Sequence, residues 1–326
     1  MTRLAAVDCG TNAIRLLVSE YSGGKVRDIH RALSIVRLGE GVDATGRFTP
    51  EAIARTRQAL ERYVEIMRIE RVEHVVMVAT SATRDAQNRA EFFAMTSELL
   101  GQIQPGAQAE VITGEREAAL SFAGAVADLQ QAQAPYCVID LGGGSTEFVV
   151  GEATGQILGA YSANMGCVRL TERILRDNPP TKQQQDAARR YVQSCLDEVE
   201  AKVDIAKAKT FVGCAGTFTT LSAIAQGLES YETAAIHGSV LRFPALDVLA
   251  QRVIEETSEK RATNPVVHPG RADVLGGGSV VVQEILHRIE ALTGVQEIIV
   301  SEKDILDGLI LELVASLQDR EATSAE

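Results

Sequence analysis

The sequence predicts an α/β protein built from two related half-domains, and three observations lead there. Residues 136–150 read YCVIDLGGGSTEFVV, an apolar run, then Asp140 and three glycines, then an alternating run. That is the pattern of a buried strand, a tight turn and its hairpin partner. Residues 5–20 repeat it at a constant offset with no gap. Asp8 falls on Asp140, Gly10 on Gly142, Val18 on Val150 and Glu20 on Glu152. Strand-like and helix-like segments then alternate through both halves, in the style of an α/β chain.

Bulk properties narrow the function classes. At 326 residues the chain fits two domains of ordinary size. The net charge of −12 argues against non-specific binding to nucleic acid or to an anionic membrane. An anionic substrate would need local donors, arginines or a divalent cation. No apolar run approaches a membrane span, and the N-terminus enters a strand with no signal-peptide pattern. Five cysteines (Cys9, Cys137, Cys167, Cys195, Cys214) are scattered and form no Cys-x-x-Cys. They read as small buried residues in a reducing cytoplasm.

Taken in order, strands are expected at 3–8, 13–20 and 25–35, with a flexible loop at 39–46. Thr49 and Pro50 start a helix that runs to about Arg68. A strand at 74–79 ends in a polar turn at 80–84, followed by a helix to about Leu100. A strand at 108–112 precedes a helix to about Val126, and 128–135 is a linker. The second half adds strands at 136–140, 145–151 and 156–162, then helices at 167–177 and 181–206. A strand at 209–213 runs into the small-residue turn 213–217 and a helix. Helices near 245–257 and through Gly276–Gly278, a strand at 296–300 and a helix at 302–317 follow. Residues 319–326 read as a frayed tail. The domains are then 1–125, completed by the helix at 302–317, and 126–301.

The chemistry concentrates at the turns. Glycines let a ligand approach the backbone, so a turn can aim several N–H groups at one oxyanion. The turn at Gly143, Gly144 and Ser145 reads as one such phosphate loop or as a plain glycine-rich β-turn, and the Asp-x-Gly turn at 8–10 repeats it. Asp140 stands at a strand end where it can hold an attacking or metal-bound water. Glu147, on the outgoing strand, either binds a cation through water or decorates a sheet face. Glu117, where a strand gives way to a helix, either accepts a proton from water or simply favours the helix dipole. Arg84 either reaches phosphate oxygens as a fork or is a solvated arginine at a helix start. Gly216 and Thr217 suit a phosphate or the edge of a nucleotide, or simply form an ordinary helix N-terminus. Arg116, Arg261 and Arg271 offer further cations along a polyanion path, and His268 lies in the 261–270 loop.

In order and combination these motifs resemble the exopolyphosphatase/guanosine pentaphosphate phosphatase (Ppx/GppA) family. They are DCGTN at 8–12, TSATR at 80–84, GEREA at 114–118, DLGGGSTE at 140–147, GCAGT at 213–217 and RAD at 271–273. The resemblance covers nearly all of residues 4–317. It implies the actin-like ATPase (ribonuclease H-like) fold, two α/β domains with mixed sheets around a cleft. It also implies Mg²⁺-dependent hydrolysis of a terminal phosphoanhydride. By that resemblance Glu117 is the general base, and Asp140 orients water or metal. Gly143, Gly144 and Ser145 form the main phosphate loop, with Thr11 and Asn12 opposite. Arg84 senses phosphate. Asp8, Asp140 and Glu147 are the acidic positions expected at the metal. Arg116 replaces a second glutamate of some members, and Ala215 stands in a turn that is often all glycine. Longer members carry further helical domains, which puts processive action on long chains in doubt here. The leading expectation is an exopolyphosphatase acting on inorganic polyphosphate, preferring shorter chains. The alternatives are a guanosine pentaphosphate phosphohydrolase, a phosphotransferase on the same fold, and a non-catalytic actin-type assembly protein. A homodimer is compatible with the resemblance.

Overall fold

The computed structural model describes residues 1–129 and 132–324. Two compact units divide the chain: 1–124 together with 305–326, and 125–304.

The first unit is a five-stranded sheet of β1 (Thr2–Cys9), β2 (Ala13–Ser22), β3 (Lys25–Ile35), β4 (His74–Ala79) and β5 (Ala109–Val111), in the order β3-β2-β1-β4-β5. β1–β2 and β2–β3 are antiparallel, while β4 and β5 add in parallel. Alternation along β1 sorts its side chains onto two faces. Ala5, Val7 and Cys9 meet Ile53, Leu60 and Val64 of the Pro50–Ile69 helix, and Phe92 and Met95 of the Arg89–Leu100 helix. Leu4 and Ala6 face the other way, onto Leu306, Leu309 and Ile310 of the C-terminal helix Ile305–Ser324. That helix therefore returns to complete the sheet where the chain began. It runs to 324, past the expected end near 317, and residues 325–326 of the expected tail lie outside the described residues.

The second unit holds six strands: β6 (Tyr136–Leu141), β7 (Thr146–Gly151), β8 (Ile157–Ala163), β9 (Thr210–Cys214), β10 (Val240–Arg242) and β11 (Glu297–Val300). Their order is β10-β11-β9-β6-β7-β8. β6, β7 and β8 form an antiparallel meander, and β9 and β11 extend it in parallel. Apart from the antiparallel edge strand β10, this is the first sheet again, with β6 for β1, β7 for β2 and β8 for β3. The duplicated three-strand meander with parallel additions is the actin-like ATPase (ribonuclease H-like) fold. Helices Lys182–Glu200, Phe243–Glu255 and Leu275–Thr293 supply the core of this unit.

Four local expectations need correction. The loop at 39–46 contains one helical turn, Val42–Thr45, because Val42 is buried and left-handed glycines at 41 and 46 close both ends. The polar turn expected at 80–84 is itself a short helix, Ser81–Asp85, and the helix that follows is confined to Arg89–Leu100. Between them Gln87 and Asn88 pair with the backbone of Gly46 and Phe48, a long-range contact that the local sequence does not reveal. The 181–206 helix stops at Glu200, short of a separate 3₁₀ turn at Ile205–Lys207. β10 escapes pattern reading because only Leu241 of its three residues points inward. Of the expected linker, residues 130–131 lie outside the described residues.

Gly308 marks where the C-terminal helix docks. A Cβ built there would lie 2.1 Å from the Leu120 carbonyl oxygen. Gly308→Ala is therefore expected to lever the helix off the sheet, costing about 1–3 kcal/mol. Thermal unfolding should show a lower midpoint than wild type, and an unchanged midpoint would contradict this docking geometry.

Candidate active site

Each hairpin builds its loop with the same bond. The Gly142 amide donates to the Ser145 carbonyl at 3.0 Å, and 132 residues earlier the Gly10 amide donates to the Ala13 carbonyl at 2.9 Å. The rest of each loop is held from behind by the segment that follows its third strand. In the second unit the amides of Cys167 and Val168, at the start of the Cys167–Arg173 helix, donate to the carbonyls of Gly142 and Gly143 at 3.1 and 2.9 Å. The buried Arg169 donates from Nε to the Gly144 carbonyl at 2.7 Å. A trans peptide points its C=O and the next N–H in opposite directions. With three successive carbonyls tied back, the N–H groups of Gly143, Gly144 and Ser145 are all turned away from the helix. Outward N–H groups are the donors that an anion would need.

Gly166 makes the arrangement physically accessible. A Cβ at 166 would sit 2.2 Å from the Gly143 carbonyl oxygen and 2.5 Å from the Gly144 nitrogen. Thr146 fixes the other side by donating its hydroxyl to the Met165 carbonyl at 2.5 Å. In the first unit the segment after β3 performs the same task without a helix. The Gly39 amide donates to the Thr11 carbonyl at 2.8 Å, and the Val36 and Arg37 amides donate to the Asn12 carbonyl at 3.0 and 2.9 Å. The Asn12 N–H is turned outward by the same rule. Gly39 carries no Cβ where the Thr11 methyl packs, 2.3 Å from the position one would take. Gly166, Arg169 and Gly39 thus set the loops, yet they lie 19 or more residues from the motifs and carry no local signal in the sequence.

The carboxylates divide unevenly between the hairpins. Asp140 pairs across the ladder with Glu147, and both are buried. Directly opposed residues share one face of the sheet with Cβ atoms about 4.5–5.5 Å apart. Ser162 donates its hydroxyl to Glu147 Oε1 at 2.7 Å. Asp8 occupies the matching position in the first unit, but its cross-strand partner is Arg15. Arg15 clasps Asp8 Oδ2 from Nε at 3.1 Å and Nη2 at 2.6 Å. Among the described residues no group of three His, Cys, Asp or Glu side chains forms a ready metal-ligand set.

Glu117 sits in the first turn of the Gly114–Val126 helix, its amide bonded to the Thr113 carbonyl. It is almost fully buried, and its Oε2 takes a 2.7 Å bond from Arg84 Nη1. The same nitrogen donates to the Ile112 carbonyl at 3.0 Å. The two residues singled out as base and phosphate sensor are therefore joined to each other. Glu115 is held below the usual carboxylate range by its own backbone N–H and the Thr113 hydroxyl, with the charge of Arg84 adding to the effect.

The 213–217 turn is more enclosed than its glycines suggest. The Arg271 guanidinium lies against Gly216, 2.1 Å from where a Cβ would be. The Thr217 side chain packs where Gly278 has none. Ala215 adopts φ 68°, a left-handed conformation that costs a side chain about 1–2 kcal/mol. A glycine would be at ease there. The other arginines of the expected path are engaged elsewhere. Arg261 is buried and bonds the carbonyls of Ala272, Asp273 and Glu256. Arg116 pairs with Glu110 and Glu312. His268 Nδ1 accepts from the Gly270 amide, and burial, aided by Arg271, lowers its pKa.

A model of the Ppx/GppA phosphatase family matches residues 17–317. The chain belongs to that family. It is 53% identical over 319 residues to Exopolyphosphatase 2 of Mycobacterium tuberculosis, covering 96% of this chain and 99% of that protein. Among solved structures, an exopolyphosphatase-like protein superposes with a TM-score of 0.90 at 38% identity, covering 97% of this chain and all of that one. The Ppx/GppA family member of Aquifex aeolicus gives 0.76 at 29% identity, covering 97% and 98%. No helix among the described residues is long and apolar enough to cross a membrane.

Gly166→Ala tests the backing of the family's glycine loop. The new methyl must displace Gly143 or Gly144, and misplacing reacting groups by about 1 Å can cost 10²-fold in rate. Phosphate release should fall by roughly 10–100-fold in a variant that still unfolds cooperatively. Wild-type turnover would show that the 142–145 loop does not need this backing.

Proposed function

We propose that the protein is an exopolyphosphatase, releasing terminal orthophosphate from inorganic polyphosphate. The observation that carries this reading is the 142–145 loop, whose tied-back carbonyls turn three successive N–H groups outward beside a pair of buried carboxylates. It is supported by the 53% identity to a protein named Exopolyphosphatase 2. The five cysteines are buried, and the burial of Cys9 and Cys137 raises their pKa far above the ordinary thiol value, so none is poised as a nucleophile. Direct attack by water suits such a site, since phosphoryl transfer is mostly positioning plus charge stabilisation.

In the proposed reaction a water oxygen attacks the terminal phosphorus and the phosphoanhydride P–O bond breaks. The bridging oxygen leaves on the shortened chain. Glu117 accepts the proton lost by the water. The N–H groups at Gly143, Gly144 and Ser145 hold phosphate oxygens, as do Thr11 and Asn12 in their own loop. Arg271 supplies positive charge at the Gly216–Thr217 turn. Arg84 orients Glu117 through their ion pair and offers its remaining nitrogens to phosphate. Asp140 and Glu147 are the residues that would hold a divalent cation such as Mg²⁺, because opposed hard-oxygen ligands fit that ion. Bound there, the cation would offset charge on the phosphate oxygens. With Arg116 and Arg261 consumed by internal bonds, these two cations of the expected path do not track a long polymer, which favours shorter chains and release between cleavages.

Glu117→Gln should fold normally and lose about 10²–10⁴-fold in turnover, since the amide cannot accept the proton. Phosphate release from polyphosphates of defined length, with guanosine pentaphosphate and ATP as competitors, is the decisive assay. Near-wild-type turnover in folded Glu117→Gln removes that residue from the mechanism, and a kinetic preference for guanosine pentaphosphate overturns the substrate. In the same assay Arg84→Lys should restore only part of the activity lost in Arg84→Ala, because an ammonium lacks the guanidinium fork. Full rescue would show that charge alone suffices.

Exhaustive chelation should abolish phosphate release, and added Mg²⁺ should restore it. Full activity in the chelated protein would show that Asp140 and Glu147 act without a cation.

A further inference from the structure

The second sheet is not laddered along its whole length. β11 pairs with β9 only at Ile299 with Val212 and at Val300 with Gly213, so the starts of the two strands are left unpaired. A cavity of about 780 Å³ opens there. Its size is that of a site for a small organic molecule. It lies at the amino ends of β9 and β11, whereas the 142–145 loop and the 213–217 turn follow the carboxyl ends of the parallel strands β6 and β9. The cavity is therefore no part of the candidate active site.

Three charged side chains line it. Lys209 stands just ahead of β9, and Arg242 and Glu297 are opposed across the ladder that joins β10 to β11. Among the described residues none of the three makes an ion pair or a hydrogen bond through its side chain. Acidic side chains outnumber basic ones by 44 to 32 in this chain, so an acid is seldom far from a cation. Two cations that converge on one cavity without taking an acid are open to a ligand. Val295, Ile299 and Pro244 supply apolar wall.

We infer that this cavity binds a small organic monocarboxylate, its acid group between Lys209 and Arg242 and its apolar body against Val295, Ile299 and Pro244. Charge selects the class. Two cations and one carboxylate leave the cavity with one positive charge in excess, which a single carboxylate cancels. A phosphate monoester brings about −1.5 to −2 at neutral pH and would meet Glu297 as a like charge. Inorganic phosphate and polyphosphate have no apolar body to place on the walls. The Arg242 guanidinium can take both carboxylate oxygens as a fork, and the Lys209 ammonium adds a point charge.

Calorimetric titration of the full chain with 4-phenylbutyrate tests this. Wild type should show one saturable site per chain, and the uncharged 4-phenylbutanamide should not bind. Lys209→Gln and Arg242→Gln should each weaken binding by roughly two- to tenfold, and the double variant should show none. Glu297→Gln should tighten it, because the opposing charge is gone. All three side chains are exposed, so these substitutions leave no buried charge behind and the variants should unfold at the wild-type midpoint. Phosphate release from polyphosphate should be that of wild type in the double variant. Absence of a saturable site in wild type, or undiminished binding in the double variant, would overturn the inference. Displacement of 4-phenylbutyrate by orthophosphate or tripolyphosphate in wild type would make this a phosphate site and overturn the ligand class. Loss of phosphate release in the folded double variant would overturn its separation from the active site.

Discussion

The candidate site depends on carbonyl groups being tied back. A glycine-rich turn by itself can present either edge of its peptide planes. Here the amides of Cys167 and Val168 and the side chain of Arg169 take the carbonyls of Gly142, Gly143 and Gly144, which leaves only N–H groups facing outward. The donors are fixed before any anion arrives, so little reorganisation accompanies binding, the condition under which oriented dipoles stabilise charge best. Close approach is the prerequisite, and it is met by glycine at 166 in one unit and at 39 in the other.

The same need for close approach explains the run Gly276–Gly278. Three glycines in the first turn of a helix weaken it, by up to about 1 kcal/mol each relative to alanine. Each faces a different neighbour: a Cβ at 277 or 278 would clash with the Thr171 hydroxyl at 2.5 Å or the Thr217 hydroxyl at 2.4 Å, and one at 276 would press the Arg261 guanidinium at 3.0 Å. The helix Leu275–Thr293 thus reaches the back of two segments of the candidate site, the Cys167–Arg173 helix and the 213–217 turn. Local helix stability is given up for positioning. Ala215, held at φ 68°, is strain of the same kind, placed at the turn where Arg271 is packed.

Charge is distributed by the same logic. The chain carries a net −12, yet its proposed substrate is a polyanion. Some arginines are spent on structure, as Arg261 is on three carbonyls. Others pair with buried acids, as Arg15 does with Asp8 and Arg84 with Glu117. Removing one partner from such a pair leaves a buried charge without its counterion, which is more costly than never having had the pair. Arg84 therefore serves two ends, holding the proposed base in place and keeping charge near it.

The sequence alone determined the duplication, the position of both loops and the family. Strand period, glycine turns and a constant offset are local signals that survive without a structure, and Asp140 with Glu147, two residues of one hairpin, could be read as neighbours. It also marked Ala215 as out of place, which its positive φ explains. What the tertiary structure decided are contacts between segments far apart in the chain. Arg84 and Glu117 are 33 residues apart and meet at 2.7 Å. Arg169 reaches back 25 residues to the loop that it holds. Arg261 and Arg271 are alike in sequence, but one is buried among carbonyls and the other lies on Gly216. Spacing cannot separate them, because burial and partner choice follow from which helices pack together, and that is fixed only when the sheet and its covering layer are assembled.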